Sequence, residues 1–132
     1  MKKLLQISCF TAVFIVWGLS TLNAFAAEPE EVVIKYFDSL RDGNVETVKR
    51  CITGKLYEKR KALLENNSNY PLFLQQFYQG TTVQIINTTT TETNSQVDVE
   101  IKFQDGSSNF ISLILIDTGN QNWEISDELI KP

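Results

Sequence analysis

The sequence contains no histidine and two cysteines. Histidine is the commonest general base in enzymes and a frequent zinc ligand, so its absence excludes serine–histidine–aspartate and cysteine–histidine catalysis and the usual zinc sites. Glycine is also scarce, and Gly80, Gly106 and Gly119 stand singly, so no phosphate-binding loop is present. The acidic repeat of a calcium-binding loop is missing. We therefore expect no cofactor and no metal site.

Basic residues are fewer than acidic ones, with twelve Lys and Arg against sixteen Asp and Glu and a formal net charge of −4. Two of the twelve, Lys2 and Lys3, lie in a segment that we expect to be removed, which would leave a net charge of −6. Such an acidic chain has no electrostatic attraction to nucleic acid or to anionic lipid. We expect no nucleic-acid partner and no binding to a membrane surface.

The first 26 residues have the three parts of a secretory signal peptide. Met1-Lys2-Lys3 is a short basic start, Cys9 to Leu19 is an apolar stretch, and Ala24-Phe25-Ala26 provides small residues for signal peptidase. The alternative is an uncleaved anchor, since Leu4 to Leu22 is nearly long enough to span a bilayer, but polar residues interrupt it. We predict cleavage after Ala26, a single domain over residues 27–132, no stable membrane anchor, and a periplasmic or secreted location.

Cleavage would leave Cys51 as the single cysteine, so no intramolecular disulfide could form. Free cysteine is usually buried, and we interpret Cys51 as a small hydrophobic residue on a helix. An intermolecular disulfide or a reactive thiol is the alternative, but no histidine is present to lower the pKa of the thiol.

Apolar residues recur at helical spacing through the first part of the expected domain. Gly43 is predicted to end the first helix, Thr53-Gly54 to break or kink the second stretch, and Pro71 to start the last helix. The charged run from Leu56 to Glu65 is interpreted as a solvated helix face. The aromatic segment from Leu72 to Tyr78 is interpreted as a plug in the core, with a ligand-binding role as the alternative.

From Thr81 the apolar period changes from 3.6 to 2 residues, which indicates strands. The clearest strand is Val97 to Phe103, followed by an Asp105-Gly106 hairpin turn. Phe110 to Ile116 is predicted to be a strand with apolar residues on both faces, and Trp123 and Ile125 mark a last strand. Helices followed by an antiparallel meander predict an α+β fold.

Three stretches together resemble the NTF2-like superfamily, also called the cystatin-like α+β cone, over nearly all of Glu30 to Leu129. Val33 to Asn44 resembles a first helix that runs into an "aL..GD" turn, with Asn44 at the usual aspartate. Val97 to Gly106 resembles the hairpin, and Asn122 to Ser126 the closing "WkI" strand, with Glu124 at the usual lysine. Within the superfamily, the chain most resembles the exported lumazine-binding-like domains grouped as DUF4878.

The resemblance implies N-terminal helices packed on a strongly curved four-stranded antiparallel sheet with a cone-shaped cavity. It also implies dimerisation through the outer face of the sheet in many members. It implies no single activity, because the superfamily includes isomerases, dehydratases, transport factors and plain binding domains.

An isomerase of the ketosteroid type would need an Asp or Glu base on the cavity face of a strand. Asp98 and Glu100 alternate with the apolar residues of their strand and are expected to face away from the interior, and Asp38 is expected to be solvated. Tyr36 and Tyr57 could line a cavity, although buried tyrosines more often bond to the backbone. We therefore expect no catalytic residues, and an enzyme is the least favoured reading.

Two binding functions remain. We favour an exported, non-catalytic binding or accessory domain that acts through an envelope protein or as a homodimer, because the strand that carries Ile111-Leu113-Leu115 on one face carries Phe110-Ile114-Ile116 on the other. The alternative is a carrier of a small apolar ligand, in a cavity lined by Phe37, Phe73, Phe77 and Trp123.

Overall fold

A computed structural model of the protein describes residues 27–131, and the predicted signal peptide and its cleavage site lie outside them. In these residues, four helices precede four strands: α1 (Pro29–Asp42), α2 (Val45–Cys51), α3 (Gly54–Asn66), α4 (Tyr70–Phe77), β1 (Thr82–Thr90), β2 (Asn94–Lys102), β3 (Ser108–Asp117) and β4 (Trp123–Ile130). None of the helices in residues 27–131 is both long enough and apolar enough to cross a bilayer.

Local sequence signals set both ends of α1. Pro29 begins the helix and needs no backbone N–H there, while Glu30 and Glu31 complement the positive end of the helix dipole. Gly43 ends it with φ of 68°, and its N–H donates to the Leu40 carbonyl at 3.2 Å. The Asn44 side chain then accepts from the Thr47 N–H and caps α2. The predicted helix end at Gly43 is confirmed.

The predicted break near Thr53-Gly54 is also confirmed, because α2 ends at Cys51 and α3 begins at Gly54. The residues between the two helices lie beside β4. Ile52 forms a parallel bridge with Ile125, and the Thr53 N–H donates to the Ile125 carbonyl at 2.8 Å. This short segment therefore covers part of the outer edge of β4.

The four strands form one antiparallel sheet in the order β1-β2-β3-β4, as a meander requires. The helices cover one face, which we call the inner face, and the opposite side is the outer face. Val97 and Val99 pair with Leu113 and Ile111 on the inner face, where all four are buried. The predicted α+β fold, with helices on a curved four-stranded antiparallel sheet, is confirmed.

A β-bulge in β4 changes which residues reach the inner face. Leu115 pairs with Ile125 and Ile114 pairs with Asp127, so Ser126 is an extra residue. Strict alternation from Trp123 and Ile125 would place Asp127 on the inner face. With the bulge, Glu128 and Ile130 lie opposite the inner-face residues Leu113 and Ile111 instead.

Substitution of Gly43 by alanine is expected to destabilise the protein strongly. An added Cβ would lie 2.5 Å from the Pro71 carbonyl oxygen, in addition to the cost of a positive φ. Gly106 is the matched control, because it also has positive φ but nothing lies within 4 Å of its added Cβ. We expect a loss of about 1 kcal/mol for Gly106→Ala and about 2 to 4 kcal/mol for Gly43→Ala. Urea unfolding measures both, and equal losses would contradict the steric argument.

Candidate functional site

Five polar side chains meet between the helices and the inner face of the sheet, and we call them the interior cluster. They are Tyr36 of α1, Arg60 of α3, Tyr70 of α4, Tyr78 just after α4, and Glu128 of β4. The cluster lies toward the end of the sheet that α4 covers, where Phe77 of α4 contacts Phe103 after β2. We call this the α4 end, and the opposite end the Trp123 end.

Arg60 is the centre of the interior cluster. It lies between the buried residues Leu56 and Leu64 at a spacing of four, so it projects from the inner side of α3. One guanidinium nitrogen is 3.2 Å from a carboxylate oxygen of Glu128, and the other donates to the Tyr70 hydroxyl at 3.3 Å. About a fifth of each charged side chain is exposed, 21% for Arg60 and 20% for Glu128. The ion pair therefore joins α3 to β4 in a largely desolvated setting.

The Tyr36 hydroxyl is the anomaly of the site. The residue has an exposed fraction of 0%, and its hydroxyl has no hydrogen-bond partner among the described residues. Buried polar atoms are nearly always paired, because an unpaired one loses its hydration without replacement. Burial raises the pKa of Tyr36 well above its usual value, despite the opposing charge of Arg60, so the hydroxyl remains a potential donor at neutral pH.

The neighbouring phenol behaves in the same way. Burial raises the pKa of Tyr78 to about 12, and the guanidinium of Arg60 opposes the shift. Because Arg60 and Glu128 cancel in charge, the cluster presents neutral hydroxyl groups and no net charge. Such a site suits a neutral hydrogen-bonding group better than a free anion or cation.

An exposed row of aromatic rings lies next to the cluster. Tyr70 stacks on Phe73 with ring centroids 6.1 Å apart, and Phe73 stacks on Phe77 at 5.7 Å. Phe73 and Phe77 are each about half exposed, at 53% and 50%. The predicted core plug from Leu72 to Tyr78 is therefore only partly right: Leu74 is buried and Tyr78 is half-buried, whereas Leu72, Phe73 and Phe77 are exposed.

The structure does not bring together the four aromatic residues expected to line one cavity. Phe37 is buried in the core with its ring 5.2 Å from that of Tyr36. Phe73 and Phe77 lie on the surface of α4, and Trp123 lies at the opposite end of the sheet. The expected lining from these four residues is wrong, because Phe73 and Phe77 are exposed on α4, whereas Phe37 and Trp123 are buried in the core.

Other candidates lie where their patterns placed them. Asp98 and Glu100 occupy the outer face, as expected, and Asp98 accepts from the Ser112 hydroxyl at 2.6 Å. Asp38 forms an exposed ion pair with Arg41. Cys51 is buried, and this burial raises the pKa of its thiol, which confirms the interpretation as a small hydrophobic residue.

Tyr57 does not line the interior. Its hydroxyl donates to the carboxylate of Glu65, on the same helix, in an exposed position. The prediction that Tyr57 could line a cavity is therefore wrong. Tyr36, for which the same role was considered, is buried.

Arg60 and Glu128 were not identified from the sequence. Arg60 was included in a charge run interpreted as solvated, and this is wrong for Arg60 because it shares the buried stripe of Leu56 and Leu64. The four-residue spacing of these three residues was the available signal. No sequence signal identified Glu128, since only the bulge at Ser126 turns this residue toward the inner face. Within residues 27–131, no three His, Cys, Asp or Glu side chains converge in a way that could hold a metal ion.

Replacing Tyr36 or Tyr70 by phenylalanine should change the stability of the protein in different directions. Tyr36→Phe removes an unpaired buried hydroxyl, so stability should be unchanged or rise by up to about 1 kcal/mol. Tyr70→Phe removes the acceptor of a hydrogen bond from Arg60, so stability should fall by about 1 kcal/mol. Chemical denaturation of both variants checks this, and an equal loss in both would show that the Tyr36 hydroxyl is bonded in solution.

The interior cluster should make the protein sensitive to alkali. The pKa of Tyr78 is about 12 in the folded chain, and that of Tyr36 is also raised, so the folded state holds these protons more tightly than the unfolded state. The contribution of these two tyrosines to the free energy of unfolding is complete below about pH 10. It is lost as the pH rises from there through their pKa values in the folded chain. Between about pH 9 and about pH 11, the urea concentration at the midpoint of unfolding should fall less for Tyr36→Phe than for the natural protein. A parallel fall would contradict the assignment.

No protein-family model matches the chain, and no curated protein matches it in sequence. The narrower resemblance to the DUF4878 domains therefore stays a prediction. Among solved structures, the chain is similar to a candidate NTF2-like transpeptidase from Campylobacter jejuni, with 14% identity, a TM-score of 0.57, and coverage of 76% of this chain and 99% of that one.

Two further solved structures are similar. A candidate ketosteroid isomerase from Shewanella frigidimarina NCIMB 400 has 17% identity and a TM-score of 0.53, over 76% of this chain and 91% of that one. A de novo designed protein with a curved β-sheet has 11% identity and a TM-score of 0.52, over 80% of this chain and all of that one, at 100%. At these identities the likeness concerns the fold. The chain therefore has the α+β fold of the NTF2-like superfamily.

Proposed function

We propose that this protein is an exported, non-catalytic binding domain that acts as a homodimer through the outer face of its sheet. The observation that carries the proposal is an apolar patch on that face. Phe110 is 47% exposed and Leu129 is 50% exposed, while Ile114 and Ile116 are half-buried. A single-layer sheet with apolar residues on both faces needs a second cover.

The patch is continuous across β3 and β4. Leu129 lies opposite Ser112, which is two residues along β3 from both Phe110 and Ile114. A polar network crosses it: Lys131, next to Phe110, reaches over β3 to Asp98 of β2, with 3.3 Å between Nζ and a carboxylate oxygen, and Asp98 also accepts from Ser112. Because these polar groups bond to one another, the apolar side chains around them remain the part of the face that needs cover. A second copy would place the same patch on both sides of a two-fold axis.

The proposal gives the protein no catalytic role. Glu128 is the carboxylate that the bulge brings to the inner face, and it is held by Arg60. The thiol of Cys51 is buried, and burial raises its pKa, which disfavours the nucleophilic thiolate. The isomerase and transpeptidase names of the structural neighbours therefore do not extend to this chain in our proposal.

The unpaired Tyr36 hydroxyl favours a second candidate, a carrier of a small ligand. Its ligand would have an apolar body and one neutral hydrogen-bond acceptor for Tyr36, since the interior cluster has no net charge. Because Tyr36 has an exposed fraction of 0%, such a ligand would reach its hydroxyl only after the surrounding side chains move.

A charged substitution in the patch should separate the two subunits. Phe110→Lys places an ammonium opposite Glu100, a favourable neighbour in the folded chain, but buries a charge in the dimer. We expect the dimer dissociation constant to rise at least about tenfold. Leu72→Lys on α4 is the control, because Leu72 is similarly exposed at 55% and lies outside the patch. Native mass spectrometry and sedimentation velocity measure the result.

A monomeric natural protein, or an equal effect of both substitutions, would contradict the dimer. A mass excess that disappears on denaturation and is lost in Tyr36→Phe would indicate the carrier instead.

A further inference from the structure

β1 is an open edge of the sheet. The strand order places β1 and β4 at the two edges, and Ile52 and Thr53 cover part of the edge at β4. Beyond β1, the described residues provide no further strand. An edge strand presents a row of unpaired N–H and C=O groups that can pair with another chain.

The composition of β1 favours such pairing. Seven of its nine residues are β-branched, and Thr82–Thr90 contains no charged residue and no proline. Proteins commonly protect open edges with lysine or proline, and β1 has neither. Its irregularity is the bulge at Ile86, a residue that is 53% exposed. The edge is therefore long, exposed and free of lysine and proline, and the bulge at Ile86 is its one protective irregularity.

A groove of about 360 Å³ lies where β1 ends. Thr90 and Thr91 form one side, and the start of α1 and the turn between β3 and β4 form the others. Trp123 lines it as an aromatic wall, and the acids Glu28, Glu92 and Asp117 line it as well. No Lys or Arg is among the lining residues, but Ala27 is one of them, and the predicted cleavage after Ala26 would give it an α-ammonium group; the three carboxylates would still be in excess. The groove thus combines an indole with three carboxylates, which suits the alkyl stem and positive head of a lysine or arginine.

The two ends of β1 differ in charge. At its start, Arg41 donates to the Thr81 carbonyl at 3.0 Å, but its guanidinium is also paired with Asp38, so this end carries no net charge from that pair. Near its end, the carboxylate of Glu30 accepts from Thr88 at 2.7 Å, next to the acidic groove. A strand that pairs with β1 would therefore meet carboxylates at the Thr90 end, where a basic residue is favoured.

We propose that β1 binds an extended peptide segment of a partner protein by strand addition, and that a lysine or arginine of the segment enters the groove at the Thr90 end. The pairing of main chains supplies affinity, and the groove selects the basic residue. The rest of the segment is uncharged and rich in β-branched residues, like β1 itself. This surface is separate from the outer-face patch, so the proposal stands independently of the dimer.

The test uses the full chain and labelled peptides with blocked ends. Two probes contain five alternating threonines and valines, with one lysine at the N-terminal end or at the C-terminal end, because the direction of pairing decides which lysine reaches the groove. Fluorescence anisotropy measures binding. We expect one probe to bind better than the other, and replacement of its lysine by glutamate should weaken binding at least about tenfold.

N-methylation tests the main-chain pairing without altering the protein. Alternate amides of a strand point to the same side, so only one of two alternately N-methylated probes blocks pairing with β1. We expect at least a tenfold loss for one pattern and less than about threefold for the other. Equal effects of the two patterns would overturn strand addition.

Two charge reversals test the groove. Glu92→Lys should weaken the lysine probe at least about tenfold, whereas Glu58→Lys, an exposed reversal on α3 with the same net charge, should change it by less than twofold. Equal effects would overturn the role of the groove. Binding of lysine amide alone as tightly as the probe would overturn the peptide in favour of a small cation. Hydrogen exchange of the protein without peptide tests a third outcome. If the β1 amides became protected as the protein concentration rises, a second copy of the chain, and not a partner peptide, would pair with β1.

Discussion

Packing of α1 into the inner face of the curved sheet is the interaction on which the remaining structure depends. Val33, Tyr36 and Leu40 are fully buried there, and α1 packs against β1, β2 and β4. Each such side chain contributes about 1.5 to 3 kcal/mol of burial free energy. The same helix places the Tyr36 hydroxyl in the interior cluster and starts at Pro29, which lines the acidic groove. One helix therefore sets the positions of two candidate sites.

Much of this architecture is predictable because it follows from local patterns. The alternation from Val97 to Phe103 specifies a half-buried strand, and Gly43 specifies a helix end, since few other residues accept its left-handed conformation. Both-face hydrophobicity of the strand from Phe110 to Ile116 correctly indicates one face under the helices and one outside. These features depend on residues close together in the chain.

The candidate site is less predictable, because it depends on contacts between distant residues. Glu128 reaches Arg60 across 68 positions of sequence, after a single extra residue in β4 reverses the alternation. No local pattern encodes that reversal. Phe73 and Phe77 belong to an apolar helix in sequence, but whether each ring lies inside or outside depends on where α4 docks. A hydrophobic pattern cannot supply that information.

The coverage of β4 by Ile52 and Thr53 has a consequence for assembly. A sheet that is open at both edges can add strands at each end without limit, as in fibrils. Here one edge is partly capped by the chain itself, and β1 is left as the single fully open edge of the described sheet. Repeated addition of copies would require the β1 strand of one copy to pair with the β4 strand of the next, and the covered part of β4 impedes this pairing. An open β1 edge can in this way persist without leading directly to a fibril.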